Sequence, residues 1–222
     1  MKVVVTAGPT REFIDPVRFL SNPSTGKMGF ALAAEAARRG HEVVLVAGPV
    51  SLPTPKGVSR VDVVSAREMC AAVLAAVGRP SARNPVVVIS AAAVADWRPA
   101  KCAAKKLKKG QMSDTLKLVR NPDILKTLSR TDACVAGSLG LVGFAAETGD
   151  AIAEAARKCR EKKLSFVVAN DVTAPGAGFG VDTNKVAFVY PDGRVESLPT
   201  MSKCAVARRV VLAAERQKGT MP

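Results

Sequence analysis

In Ser21-Asn22-Pro23-Ser24-Thr25-Gly26-Lys27-Met28-Gly29, residue type and spacing could do chemistry. Ser24, Thr25 and the N–H groups around Gly26 stand at the start of a predicted helix. Unpaired donors and the helix dipole favour an anion such as phosphate there. Gly26 and Gly29 permit close approach to the backbone. The same residues also read as an N-cap followed by small packing residues. The pattern is not a Walker A loop, because Lys27 is followed by Met28 rather than Ser or Thr, and it is not GxGxxG.

Three further groups carry possible chemistry. Ala91-Ala92-Ala93-Val94-Ala95-Asp96-Trp97-Arg98 follows a predicted strand. Small residues at a strand's end let a flat ligand approach, and the Asp96 carboxylate can accept from a ribose hydroxyl or hold a metal-bound water. A tight loop with Asp96 paired to an Arg is the alternative. The lysine run 105–109 precedes Gly110. It reads either as a solvated face or as a basic loop closing over a triphosphate. Lys158 and Lys162 are four residues apart on one helical face, where they repel unless an anion is shared; a surface helix is the alternative, and composition alone favours it. His41 has no visible acid–base partner and reads as structural. No metal-ligand cluster is evident, so any Mg²⁺ would arrive with a nucleotide.

The elements that position these groups alternate between strand and helix. Val3–Ala7, Glu42–Ala47, Val58–Val64, Val86–Ser90, Leu141–Ala146 and Phe166–Ala169 read as strands. Gly26–Arg39, Arg67–Val77, Asp150–Lys163 and Ser202–Gln217 read as helices. Between the first strand and the first helix lie about 17 residues rich in Arg, Asp, Asn, Ser and Thr, a long loop without structure of its own. Thr115–Val119 reads as a half-exposed strand. Asn121-Pro122-Asp123 reads as a helix start, with Asn121 as N-cap and Pro122 in the first turn. Lys185–Tyr190, Pro191-Asp192-Gly193 and Arg194–Ser197 read as a hairpin, either extending the sheet or pairing at an edge with a second copy. The expectation is one α/β domain over residues 1–222: a Rossmann-like, mostly parallel sheet flanked by helices, with an added C-terminal β-hairpin and helix.

Composition narrows the classes. The net charge is +14, which suits a basic surface, a phosphorylated small molecule or nucleic acid. One Trp and one Tyr leave few stacking platforms for single strands. The five Cys are odd in number and lack CxxC spacing, so a reducing compartment is expected rather than disulfides or zinc. No apolar run reaches ~18 residues, so no membrane span is expected. The chain opens on a strand rather than a signal peptide. A cytoplasmic protein without nucleic-acid or membrane partners is the reading. An NAD(P)-dependent oxidoreductase is a rival, opposed by the missing GxGxxG and by Ala47-Gly48 where an acidic residue would end the second strand. A basic nucleic-acid-binding module rests on charge alone.

Nearly the whole chain resembles phosphopantothenoylcysteine synthetase, in its monofunctional form without the flavin-dependent decarboxylase half. The match is carried by Thr6-Ala7-Gly8, Thr10-Arg11-Glu12, Ile14-Asp15-Pro16-Val17-Arg18 and Ser21 through Gly29. It continues in Ala92 to Trp97, Lys106 to Lys109, Asn121-Pro122-Asp123-Ile124, Val142 to Thr148, Ala169-Asn170-Asp171 and the Lys185–Gly193 hairpin. Phe13 departs from a common Pro, and the connector near 78–85 is longer than in some relatives.

The resemblance implies that 4′-phosphopantothenate is activated by a nucleoside triphosphate, CTP favoured over ATP, to an acyl-nucleotide that L-cysteine then converts to an amide. It implies a homodimer, Mg²⁺ with the nucleotide, and no flavin. It assigns Asn22 to the second step and Lys106 to phosphate neutralisation in the first. Ser24, Thr25 and Gly26 line the phosphates. Ala92, Ala93 and Phe144 border the base, and Asp96 holds the ribose or the metal-bound phosphates. Pro122, Asp123, Ile124 and Leu125 bring a helix N-terminus to the nucleotide, and Lys158 and Lys162 complete its binding.

Overall fold

The run Lys2–Ala7 is strand β1, and it is buried on both faces. Val3, Val5 and Ala7 point into one core and Val4 into another, as the two-residue period of a strand requires. The computed structural model describes residues 1–108, 110, 115–147, 150–171 and 180–217. After β1 come β2 (Arg11–Phe13), β3 (Phe19–Ser21), α1 (Lys27–Arg38), β4 (Glu42–Ala47), β5 (Val58–Asp62), α2 (Ala66–Val77) and β6 (Val86–Ser90). Next are β7 (Trp97–Pro99), β8 (Leu118–Arg120), α3 (Ile124–Leu128), α4 (Asp132–Val135), β9 (Leu139–Glu147) and α5 (Ala151–Glu161). The chain closes with β10 (Phe166–Asp171), β11 (Thr183–Asn184), β12 (Val186–Val189), β13 (Val195–Ser197), β14 (Met201–Ser202) and α6 (Lys203–Gln217).

The main sheet has eight strands in the order β13-β12-β10-β9-β6-β1-β4-β5. From β5 across to β10 every pairing is parallel. The α/β class read from the alternation holds. Helices α1 and α6 cover one face and α2, α3 and α5 the other. The chain runs outward from β1 through β4 to β5, then returns to β6 and proceeds the other way. The strand order therefore reverses between β1 and β6, the place where open α/β sheets form a crevice beyond their carboxyl ends.

Three local expectations change, and the C-terminal hairpin takes one of its two expected places. The long loop after β1 contains a hairpin, β2 against β3, in which Phe13 packs edge-on to Phe19 at 5.4 Å between ring centres. The strand expected over 115–119 begins only at Leu118, where pairing with β7 becomes available. Asn121 does not cap the next helix. Asp123 does, accepting from the Lys126 amide at 2.9 Å, so the helix begins at Ile124 and Pro122 precedes it. The C-terminal hairpin extends the main sheet, β12 running antiparallel to β10. Lys109, Thr148 and residues 172–179 lie outside the described residues.

His41 gains the partner that sequence could not supply. Its Nε2 lies 2.6 Å from Glu215 on α6, and Arg39 grips the same carboxylate at 2.8 and 2.6 Å. This joins the C-terminal ends of α1 and α6, so His41 is structural. Among the described residues no helix is long and apolar enough to cross a membrane.

Helix α1 approaches β1 so closely that Gly29 leaves no room for a side chain. A Cβ there would stand 2.5 Å from Ala7 Cβ and 2.8 Å from the Thr6 carbonyl oxygen. Gly29→Ala is therefore expected to destabilise the fold by about 1–3 kcal/mol, the usual cost of overpacking. Urea unfolding checks this, and an unchanged midpoint would show that α1 can back away from β1 without cost.

Candidate active site

A cleft of about 1070 Å³ opens beyond the carboxyl ends of the central strands. Its first wall is the crossing between the loops after β1 and β6. The buried hydroxyls of Thr6 and Thr10 accept from the amides of Ala92 at 3.1 Å and Ala95 at 3.0 Å. The Ala93 amide donates to the Gly8 carbonyl at 2.9 Å. Small side chains at 91–93 keep this loop flat. Asn22 joins the same knot, donating through Nδ2 to the Ala93 carbonyl at 3.0 Å. One Nδ2 hydrogen and the amide oxygen of Asn22 stay available to a ligand.

The second wall is the start of α1. Gly26 has φ +78°, a left-handed conformation that suits glycine, and no side chain caps the helix. The amides of the first turn therefore keep their donor capacity. Ser24, Thr25 and Gly26 all line the cleft.

The third wall comes from α3 and α5. Asn121 holds it in register with the loop after β6: its Nδ2 donates to the Ala95 carbonyl at 2.8 Å and its amide to the Asp96 carbonyl at 2.8 Å. Asp123 lies 2.8 Å from Lys162. Burial pushes the Asp123 carboxyl up, but the Lys162 ammonium and the capped Lys126 amide outweigh it and leave the pKa below the usual value. Lys158 lies 3.5 Å from Glu154. Arg157 chiefly, with Lys158, holds Glu154 down to about 2. The two lysines read as sharing one anion are thus each next to a carboxylate. Phe144 and Ala145 form the floor between the walls.

The cleft brings together Asn22, Ser24, Thr25, Gly26, Ala92, Ala93, Asp96, Pro122, Asp123, Ile124, Leu125, Phe144, Lys158 and Lys162. Lys106 is exposed and does not line it. The adjacent Leu107 explains why. Its amide donates to Asp15 Oδ2 at 3.1 Å, and its carbonyl accepts from Arg18 Nη2 at 2.8 Å. Asp15 is buried in the turn between β2 and β3 and also accepts from the Val17 and Arg18 amides, both at 2.9 Å.

Sequence reasoning missed Thr6 and Thr10 as anchors, Asn121 as a clamp, and Lys27, Asn184 and Lys203 as cleft residues. A polar hydroxyl inside the apolar run Val3–Ala7 was the available signal for Thr6. Among the described residues no group of three or more His, Cys, Asp or Glu could hold a metal ion. Asp123 and Glu154 already face cations, so Asp96 is the carboxylate best suited to a metal carried in by phosphates.

The family model described as DNA/pantothenate metabolism flavoprotein C-terminal domain matches residues 1–216. The coenzyme A biosynthesis bifunctional protein CoaBC of Vibrio vulnificus (strain YJ016) is 47% identical over 211 residues, 94% of this chain and 50% of that protein. The CoaBC of Bacillus subtilis (strain 168) is 47% identical over 221 residues, 98% of this chain and 52% of that protein. The chain spans about half the length of the curated relatives it matches. The crystal structure of a CoaBC C-terminal domain superposes with a TM-score of 0.80 at 39% identity, covering 99% of this chain and 96% of that one. A Cab2 mutant in complex with phosphopantothenate-cysteine shares the fold, with a TM-score of 0.74 at 16% identity, covering 99% of this chain and 88% of that one.

The Asp15 clamp is testable. Arg18 chiefly, against the opposing effect of burial, holds the Asp15 carboxyl far below its ordinary value. Its stabilisation is therefore full above the unfolded carboxyl's pKa of about 4 and is lost as pH falls through the depressed value. In Asp15→Asn, the Leu107 amide is expected to exchange faster at neutral pH, and the acid-induced loss of stability to shrink. Hydrogen–deuterium exchange and acid titration of unfolding measure both. Unchanged exchange would show that other contacts hold the segment.

Proposed function

We propose a function from one premise: the chain belongs to the DNA/pantothenate metabolism flavoprotein C-terminal domain family. It acts as a phosphopantothenate–cysteine ligase in coenzyme A biosynthesis. The observation that carries this reading is the convergence of Asn22, the uncapped start of α1, the flat 91–93 loop and the α3–α5 wall on one cleft.

In the first step a carboxylate oxygen of 4′-phosphopantothenate bonds to the α-phosphorus of a nucleoside triphosphate, and pyrophosphate leaves. In the second the amine of L-cysteine bonds to the acyl carbon and the nucleoside monophosphate leaves, the amine's proton passing to solvent. Asn22, anchored by one hydrogen to Ala93, directs its other hydrogen at the acyl carbonyl and polarises it. Ser24, Thr25 and Gly26 receive phosphate oxygens. Ala92, Ala93 and Phe144 form a slot for the base, with CTP favoured over ATP from the resemblance. Asp96 would hold the ribose or a Mg²⁺ arriving with the nucleotide, an ion that would neutralise phosphate charge. Pro122 to Leu125 close the nucleotide end, and Lys158 and Lys162 exchange their carboxylate partners for nucleotide oxygens. Lys106 serves the first step only if its segment leaves the Asp15 clamp and crosses the mouth of the cleft.

Exposed Val17, Phe19, Trp97, Leu116 and Leu118 on or beside the β2–β3 and β7–β8 hairpins support a homodimer. Light scattering is expected to give twice the chain mass, and Phe19→Asp with Val17→Asp to reduce it. A monomeric wild-type chain would remove this part of the reading.

The activity is tested by supplying phosphopantothenate, cysteine, Mg²⁺ and CTP or ATP in competition. Pyrophosphate release is expected to need phosphopantothenate, and amide formation to need cysteine as well; absence of both overturns the reading. Asn22→Ala is expected to let the acyl-nucleotide accumulate, and Lys106→Gln to slow pyrophosphate release by about 100–1000-fold, the range for losing one charge-stabilising group. Release at the wild-type rate in Lys106→Gln would remove that residue from the first step.

A further inference from the structure

On the α1–α6 side of the sheet the cleft ends in Lys27, Asn170, Asn184 and Lys203. Phe166 and Val168 on β10, and Val186 and Phe188 on β12, point into the α1–α6 core. The two-residue period puts Asn170 and Asn184 at the cleft end of those same columns, and Asn170 pairs with Val186 across the sheet. Two amides therefore stand where the apolar columns stop. Asn184 is 4% exposed, and the side-chain oxygens of both residues are buried without a hydrogen-bond partner. The Asn184 Nδ2 faces the Met28 thioether at 3.7 Å, a weak acceptor.

Lys203, the first residue of α6, is 6% exposed, which is rare for lysine. Its ammonium donates to the Val181 carbonyl. Burial, and then Lys27, lower its pKa, while Asp182 raises it. Lys27 lies 2.7 Å from Asp182 and 3.4 Å from the Gly180 carbonyl. Lys27 itself stands in the uncapped first turn of α1, which lines the same cleft as Lys203.

The chemistry of a fitting ligand follows. A cation is repelled by two ammonium groups. A neutral group gains little from two ammonium groups beyond an ordinary hydrogen bond. A carboxylate offers two oxygens, too few for two lysines, the α1 amides and Asn184 together. A phosphate chain has enough. A half-turn of the Asn184 amide exchanges its ends without changing its shape and turns N–H donors toward such a chain.

We propose that Lys203, Lys27 and Asn184 form the subsite for the pyrophosphate end of the nucleoside triphosphate. This rests on the ligase reading above. In the first step the new bond joins the phosphopantothenate carboxylate oxygen to the α-phosphorus, and the bond from that phosphorus to the bridging oxygen breaks. Its electron pair leaves on pyrophosphate, whose oxygens gain charge beside Lys203. The two lysines stabilise that charge, and Asn184 fixes the direction of departure.

Calorimetric titration of the whole chain with inorganic pyrophosphate tests this without turnover. Lys203→Met is expected to weaken binding at least about tenfold, as expected on losing a charge-assisted contact. Lys203→Arg is expected to stay within about threefold, and Lys56→Met, which removes one exposed charge elsewhere, within about twofold. Asn184→Leu, which fills the buried position with an apolar group of similar size, gives the same readout if Lys203→Met fails to melt cooperatively. In turnover, Lys203→Met is expected to slow pyrophosphate release and relieve product inhibition by pyrophosphate, leaving the KM for cysteine unchanged. Wild-type affinity in Lys203→Met, an equal loss in Lys56→Met, or no pyrophosphate binding by the wild-type chain overturns the subsite. A chain that binds pyrophosphate through Lys203 yet forms no amide overturns the ligase reading and leaves the subsite standing.

Discussion

Two buried hydroxyls hold the two halves of the sheet's ligand side together. The strand order reverses between β1 and β6, and beyond these strands an isolated backbone bridge joins Pro9 and Ala93. Thr6 and Thr10 secure it on either side, each by accepting an amide of the 92–95 segment. A net hydrogen bond contributes about 1 kcal/mol, but a buried donor left unpaired costs about 1–3 kcal/mol, so removing either hydroxyl also strands an amide. Asn22 hangs from Ala93 and Asn121 from Ala95, which makes three cleft walls depend on one loop. The close packing of Gly29 on Ala7 then sets α1 at a fixed height above that loop.

How much of this the sequence displayed depended on the range of the interaction. The Val-rich runs at 3–5 and 86–88 announce strands because burial on both faces needs only apolar residues in succession. The phosphate-type start of α1 is equally local, since Ser24, Gly26 and Gly29 act within one turn. Asn121 shows where local signals fail. As Asn-Pro it has the form of a helix start, yet its amide is claimed by Ala95, 26 residues away in sequence, and Asp123 takes the cap. The strand at 118–120 similarly waits for its partner β7. His41 lacked a partner in sequence because that partner, Glu215, lies 174 residues away. Lys203 reads in sequence as part of a terminal helix, and its burial brings its ammonium to the Val181 carbonyl, 22 residues away.

The lysine run leaves two readings open at the level of sequence. Positions 105–109 invite an electrostatic role, and charge pattern alone cannot tell where a loop rests. The buried carboxylate of Asp15 decides it by binding both Arg18 and the Leu107 amide. A basic segment is thereby held through backbone contacts at Leu107, and Lys105, Lys106 and Lys108 do not line the cleft. Releasing it requires a ligand whose charge competes with a carboxylate that Arg18 already satisfies.

That competition describes the cleft as a whole. The chain carries a net charge of +14, but the cations lining the cleft stand beside acids: Lys162 by Asp123, Lys158 by Glu154, Lys27 by Asp182. Pairs this exposed gain little from one another, typically about 0–1 kcal/mol each. They nevertheless keep several like charges within one crevice at low cost while no anion is present. A polyphosphate brings more charge and more acceptor oxygens than the carboxylates it displaces, and the displaced carboxylates turn to water. Binding then becomes an exchange of weak pairs for stronger charge-assisted ones, driven by the ligand's charge density rather than by a preformed excess of positive charge. The two ends of the cleft differ in this respect. Lys162 and Lys158 sit at its accessible α5 wall, whereas Lys203 is buried near Lys27 and Asp182. A site built this way places its most buried cation at the end where, in the proposed reaction, negative charge accumulates as a bond breaks.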